Sequence, residues 1–563
     1  MFSLSRPNTR IFTNLCSMLV IGAGLLIGQP AAAQQQAADE GPEAWVTASM
    51  CEAGNRSVDL NQPVSFSYTG SDGNNPRHLS AEQAGLTTAD LSDLELAWAI
   101  AFPQTSGMRA APVIIGDTIF YSATDSGRVF ALDTDSGCAK WVYESGTRLR
   151  SSMAYDVIDG QGMLVFSDMP GMIHAINAEN GEALWVASGQ ASENQGMLTG
   201  TPVIHEDRII VPVSGSGVIT GGNPNYECCE NHGAVTALDV RTGEKVWEYH
   251  TMPVADYNGL ISSTGVKQRG PSGAPIWTTP TIDADRNQIY VTTGENTSHP
   301  TTGTSDAIIA LDLETGEEMW VFQAVENDLW HYGCLSDGPN CILLDETYSV
   351  DYDFGGPAVL VNTGGRDLVM AGQKSGDLWA LDPDTGALVW NQKAGEGTLL
   401  GGNHWGIAVD AERAFLTIND PENANLGIQA SNAQPGIYSY FTGTGEPSWF
   451  YEVEPKCNDQ RSDRLRRCES LFGFSAAPLS VDGAVIAGAL DGRLFIFNSD
   501  SGELLFEFDT VQDFETVNGV EGYGGSIESH SIAAGAGMVF IGSGYGQFNE
   551  VSGNVLLAFR PAE

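Results

Sequence analysis

A chain of 563 residues with 71 acidic against 26 basic side chains carries a formal net charge of −45. Such a polyanion cannot grip nucleic-acid phosphate by bulk charge, and 42% hydrophobic content excludes a disordered acidic tail. Only 17% of residues are charged and 66 are glycine, which favours one large turn-rich all-β domain over the several domains that length alone suggests.

The chain opens with an export pattern. Arg6 and Arg10 precede an apolar stretch from Ile11 to Gly28, and Ala31-Ala32-Ala33 follows as a small-residue cleavage site. Residues 1–33 therefore read as a signal peptide, and the mature protein is expected in the periplasm. A membrane anchor is the weaker reading, because Thr13, Asn14 and Ser17 interrupt the apolar core. No later stretch is long and apolar enough to span a bilayer.

Export makes the cysteines readable. Without Cys16, eight remain, an even number in an oxidising compartment. Cys334/Cys341 and Cys457/Cys468 are close enough in sequence to close small loops, and Cys51/Cys138 is the leftover long-range pair. Cys228-Cys229 is the odd case, because adjacent cysteines must distort the peptide between them to bond. The sequence contains no C-x-x-C-H, the usual attachment site for c-type haem.

From Trp98 onward one phrase recurs: a short strand, a turn with glycine, and an aromatic four residues after that glycine. The pairs are Gly137/Trp141, Gly181/Trp185, Gly243/Trp247, Gly316/Trp320, Gly386/Trp390, Gly445/Trp449 and Gly502/Phe506. The turns read as β-hairpins in which Asp or Asn caps the loop and glycine supplies a positive φ. Short β-branched strands fill the intervals, as in DRIIVPVS and NQIYVTTG. About four strands per repeat predict a β-propeller. Trp98 has its strand but no preceding turn, and GNVLLAF near the C-terminus has the opposite lack. Joining them predicts an eighth blade built from both ends of the chain, which removes exposed sheet edges. The expected organisation is residues 1–33 signal peptide, 34–90 an N-terminal extension and 91–563 an eight-bladed, all-β propeller. Spacing grows from 43 residues (Trp98 to Trp141) to 73 (Trp247 to Trp320), so loops are inserted there.

The tryptophan-bearing turns resemble the pyrroloquinoline-quinone (PQQ) dehydrogenases, from about Asn75 to the C-terminus. Within that family the chain looks most like the polyvinyl-alcohol dehydrogenases. The stretches that carry this are HLSAEQAGLT, YECCENHGAVTALD, GAPIWTTPTID, TTGENTSHPTTGTSDAIIALDLETG, DYDFGGPAVLV and AGQKSGDLWALDPDTG. Such relatives often carry a haem segment near the N-terminus, where this chain has only Cys51.

The resemblance implies a site for PQQ, a flat tricarboxylate with an electrophilic carbonyl, and for a metal ion. Trp277 matches the family tryptophan that stacks under the quinone, and it lies outside the glycine-plus-four register. Cys228-Cys229 resembles a vicinal disulfide that lies above it. Lys374 matches the cation placed against the quinone oxygens. Arg150 matches an arginine for a PQQ carboxylate, with Arg148 or Arg109 as alternatives. Ser214, and Asn403, His404 and Trp405 in GGNHWG, look like cofactor-facing positions. Asp351 aligns with the family's catalytic base and metal neighbour, with His331 as the rival base. Asp353 faces the same way on an extended segment. For the metal, either Glu295 or Asn296 is the expected ligand. Gly217 stands where the family has a glutamate, and Glu227 is the replacement candidate. Calcium is the default hard cation for these oxygen ligands, with a lanthanide in some relatives that carry the second acid.

These readings predict a periplasmic alcohol oxidation, of a secondary and bulky alcohol, with electrons passed to a separate soluble cytochrome c. The acidic surface would suit a basic cytochrome, or would serve solubility alone. Two alternatives stand beside it. One is a non-catalytic propeller of the outer-membrane assembly type, which would need no Trp277, Lys374 or Asp351. The other is a PQQ-binding propeller that has lost turnover.

Overall fold

The computed structural model describes residues 43–344, 346–420, 433–465 and 467–562. The expected signal peptide lies outside the described residues. Residues 48–563 form one compact unit. Among the described residues no helix is long and apolar enough to cross a membrane.

Eight four-stranded antiparallel units make up the ring, two of them with an added fifth strand. Blade 1 starts at Val113–Ile115, blade 2 at Ala154–Ile158, blade 3 at Val203–His205 and blade 4 at Thr281–Asp283. Blades 5 to 8 start at Val359–Thr363, Ile407–Val409, Leu479–Val481 and Ile532–Gly535. Blade 8 is closed as expected: Leu94–Ala101 pairs antiparallel with Val555–Pro561.

The repeated turns join the third and fourth strands of blades 1 to 7. Each turn glycine has a φ between 69° and 73°. Each one also lies against the tryptophan of the preceding blade. A Cβ on Gly386 would stand 2.6 Å from the Trp320 ring, and one on Gly316 would stand 2.4 Å from Trp247. The indole N–H of each tryptophan donates to a backbone carbonyl beside the neighbouring turn, as from Trp98 to Thr134 (2.7 Å), Trp320 to Pro383 (3.0 Å) and Trp449 to Ser499 (2.8 Å). Inter-blade packing thus accounts for these tryptophans.

Residues 48–90 belong to the same compact unit as the ring rather than to a separate extension. Val64–Phe66 adds a strand to blade 1, and His78–Leu79 adds a parallel strand to blade 7. Between them, residues 67–77 bond to the inner strands. Tyr68 Oη donates to Ile204 O, Asn75 to Pro280 O, and the backbone N–H groups of Leu360 and Val409 donate to Asn74 and Pro76. Arg77 is fully buried and donates to the carbonyls of Thr69, Ala477, Pro478 and Ile532. Buried guanidinium and backbone groups need such partners, so this segment folds with the ring and fills its axis. Composition gave no sign of that long-range role.

Candidate active site

The connections into each inner strand, and those joining the second and third strands, meet on the face opposite the tryptophan turns. They enclose a cavity at the ring axis. Arg150 precedes the inner strand of blade 2, Ser214 follows the second strand of blade 3, and Trp277 precedes the inner strand of blade 4. Glu295 follows the second strand of blade 4, Asp351 and Asp353 precede blade 5, Lys374 follows its second strand, and His404 and Trp405 precede blade 6. All of these line the cavity.

At its floor, Lys374 Nζ donates to Asp351 Oδ1 and Asp353 Oδ2, both at 3.0 Å. Its ammonium also sits 5.8 Å above the Trp277 ring centroid. Asp353 Oδ1 accepts from the Glu295 backbone N–H at 3.0 Å, while Glu295 Oε1 is buried without a partner. Oxygens of Glu295, Asp351 and Asp353 lie within 4.8 Å of one another, and all three residues are buried. Asp351 holds a φ of 59°, a conformation rare for a side-chain-bearing residue.

The electrostatics follow from crowding. Burial raises Glu295 well above the usual range, and the charges of Asp353 and Asp351 push it further. Burial also raises Asp351 well above it, against the pull of Lys374. Burial acts the same way on Asp353, but Lys374 and the bonds from Glu295 outweigh it and hold that carboxyl low. Burial opposes charge on Lys374, yet the three carboxylates keep its ammonium protonated. Glu295 and Asp351 hold protons more readily than ordinary carboxyls here, and a hard cation that displaced them would be held by three carboxylates against the one ammonium of Lys374.

Above the floor the charge reverses. Arg150 has no ion-pair partner among the described residues, and burial with the nearby Arg109 lowers it to about 10. Arg109 lies 4.8 Å from the Tyr545 ring centroid. Arg150, which lines the cavity with Trp277, suits a carboxylate of a flat polycarboxylate, whereas Arg109 lies outside that lining and faces Glu528 and Glu550. Arg148 is exposed and pairs with Asp125 instead.

Several expected residues sit elsewhere. Asn296 is buried, but its amide is used within the fold: Nδ2 donates to Ser305 Oγ and Asp328 O, and Oδ1 accepts from Thr302. Glu295 is therefore the member of that pair that faces the cavity. Glu227 is exposed, pairs with Arg269 at 3.2 Å, and is not in the carboxylate group. Cys228 and Cys229 are bonded to each other, as are the other three expected pairs. The vicinal pair does not line the cavity. Its sulfurs pack against the carbonyls of Thr297 and Gly217, and Val218 and Ile219 form the wall there. The inserted helical turn Gly217–Thr220 is the reason. His331 is buried with Nδ1 accepting from Gly333 N, and its neighbours Trp330 and Tyr332 take the wall. Asn403 is spent on the carbonyls of Gly406 and Thr417.

Sequence reasoning missed Asp328. Its carboxylate accepts from the N–H groups of Val350 (3.0 Å) and Tyr352 (3.1 Å), the residues on either side of Asp351. It also missed the aromatic and aliphatic wall of Trp330, Tyr332, Leu399, Leu400, Tyr545 and Phe548. No local pattern marks these, because they come together only when the loops do.

Residues 67–394 match the family model for the glucose/ethanol/alcohol dehydrogenase β-propeller domain of the PQQ enzymes. The chain belongs to the PQQ-dependent dehydrogenase family. A polyvinylalcohol dehydrogenase of a Pseudomonas species is 30% identical over 522 residues, covering 89% of this chain and 78% of that protein. That of Sphingopyxis sp. strain 113P3 is 29% identical, covering 91% and 79%. The solved quinohemoprotein alcohol dehydrogenase ADHIIG of Pseudomonas putida HK5 shares the fold, with a TM-score of 0.63, 17% identity, and coverage of 90% and 82%. This quinoprotein is thus an alcohol oxidoreductase of the PQQ class, and the scaffold alternative falls away.

Proposed function

We propose that this quinoprotein oxidises a secondary alcohol carried on a bulky, largely hydrocarbon molecule, polyvinyl alcohol being the leading candidate. The group of Glu295, Asp351 and Asp353 with Lys374 beside Trp277 carries the reading. Arg150 would hold a carboxylate of PQQ, and the ring of Trp277 would support its plane. The three carboxylates would hold a divalent or trivalent hard cation, with calcium first and a lanthanide second. Bound PQQ supplies a two-electron acceptor for the alcohol carbon. Asp351, ionised once a cation and Lys374 offset its burial, would take the hydroxyl proton on a carboxylate oxygen. Lys374 keeps Asp353 ionised, so the two acids serve different roles.

The wall supports the substrate class. Tyr332 and Ile219 line the cavity and are also exposed; Tyr332 precedes the Cys334–Cys341 loop, and the exposed Leu343, Leu344 and Tyr348 follow it. An apolar rim of this kind suits a hydrocarbon backbone. The export pattern supports a periplasmic location. The lack of a haem-attachment motif and the charge of −45 support a separate, basic cytochrome c as acceptor. Its reduction should slow with added salt.

The test is to load the protein with PQQ and Ca²⁺ or a lanthanide and to offer secondary alcohols and polyvinyl alcohol with an artificial dye. Dye reduction is expected. Asp351→Asn should lower kcat by about a thousandfold while PQQ absorbance stays bound. No turnover with any metal, or full activity of that variant, overturns the proposal.

A further inference from the structure

Glu528 and Glu550 take no part in binding or in alcohol activation, yet both carboxyls are shielded within the wall of blade 8. Glu528 lies in the connection into the inner strand of that blade, and Glu550 lies in the loop between its second and third strands. Glu528 is 1% exposed. Its Oε1 accepts from Ser475 Oγ at 2.7 Å, and its Oε2 accepts from Ser529 N at 2.9 Å. Ser475 Oγ lies 3.5 Å from Nδ1 of His404, which lines the cavity. On its other side Glu528 faces Glu550, a half-buried residue in the adjoining loop. A line of polar groups therefore runs from cavity to solvent through a wall otherwise made of Trp405, Tyr545 and Phe548.

Two carboxyls that face each other in a dry wall resist double ionisation, so the pair favours holding one proton. The charged and titratable groups that face the pair are few. Arg109 faces both acids and Arg467 faces Glu550. Tyr545 packs against both, and its phenol is held neutral by burial. His404 and His530 are kept neutral by burial, each at about 3. Burial pushes Glu528 up to about 7, and burial with the charge of Glu528 raises Glu550 well above its usual range.

We propose that Glu528 and Glu550, reached through Ser475 and His404, are the proton exit of the cavity. The inference rests on the alcohol oxidation proposed above. Conversion of a secondary alcohol to a ketone breaks one C–H and one O–H bond and releases two electrons and two protons. The electrons leave through the bound quinone to an external one-electron acceptor. The protons must reach water while cofactor and substrate fill the mouth and residues 67–77 fill the axis. A pair that already holds one proton accepts another at Glu528 and releases one from Glu550, so charge does not accumulate in the wall.

Two measurements test this. In cofactor-free protein, infrared difference spectra should show a protonated carboxyl at pH 7 that is absent from both Glu528→Gln and Glu550→Gln. In protein loaded with PQQ and Ca²⁺, Glu528→Gln should lower kcat with a dye acceptor by about a hundredfold. The solvent deuterium isotope effect should rise, and single-turnover reduction of the quinone should be unchanged. Ser475→Ala, which breaks the link without touching a carboxyl, should move kcat and the isotope effect the same way. A missing carboxyl band in the wild type, or variants with the wild-type pH profile and isotope effect, overturns the exit. A wild type that reduces no dye overturns the alcohol-oxidation reading instead, and the infrared arm still decides whether the pair holds its proton.

Discussion

The two faces of the ring are built on different rules. On one, seven turns repeat the same geometry: a glycine with φ near 70° and the preceding blade's tryptophan against it, with a capping Asp or Asn in six of them and Phe441 in the other. On the other, the loops differ in length and course, and the cavity takes its residues from blades 2 to 6 and from blade 8. The first face is constrained seven times by one packing contact. The second is constrained once, by a ligand set. A substitution on the turn face should therefore change stability and spare chemistry, and one on the site face should do the reverse.

A large effect on the turn face is expected from Gly386→Ala. The new Cβ would meet the Trp320 ring at 2.6 Å while the backbone stays at φ 69°. Strain and a clash in a packed interface add up to about 2–4 kcal/mol. The denaturation midpoint should fall while kcat per folded molecule stays constant. A matching loss of kcat would mean that the two faces are coupled.

The contrast also explains what the sequence could reveal. Gly137/Trp141 and its copies are local, so spacing alone predicts the hairpins, the blade number and the closure by Trp98. Asp351, Asp353 and Lys374 were legible through runs that resemble a family, DYDFGG and AGQKSG, and they do meet. Glu227 was chosen because it neighbours the cysteine pair, but the helical turn at Gly217–Thr220 takes up the wall that both would have occupied. Arg77 and Asp328 gave no signal. Their partners lie up to 455 and 24 residues away, and nothing in the intervening chain marks the pairing.

On the site face, Asp328→Asn should separate positioning from binding. An amide keeps one acceptor for Val350 N or Tyr352 N but loses the other, so the Asp351 backbone loosens. We expect kcat to fall by about tenfold to a hundredfold with little change in KM. Stability should change with pH in a defined sense. Burial raises Asp328 from 3.8 to about 6, so the folded state holds this proton longer than the unfolded one. Stability from this group is present below about pH 4 and lost as pH rises towards 6, and the variant should lack that slope. An unchanged slope would assign it to the other buried acids.

The smallest effect concerns an irregularity of the regular face. Trp390 donates its indole N–H to Thr442 O at 3.2 Å, whereas the equivalent position on blade 7 is Phe506. Blade 8 has no tight turn for that residue to meet, because its outer strand is Leu94–Ala101 and its third is Val555–Pro561. Phe506 thus needs no donor, and the contact between blades 7 and 8 runs through Phe508 and Phe559, edge to face at 5.0 Å. Trp390→Phe should cost about 1 kcal/mol, the worth of one hydrogen bond to a carbonyl left unpaired. Phe506→Trp should gain nothing measurable. If the second variant were the more stable by a similar margin, the indole would be acting through buried area alone, and the bond to the neighbouring turn would lose its place in the explanation.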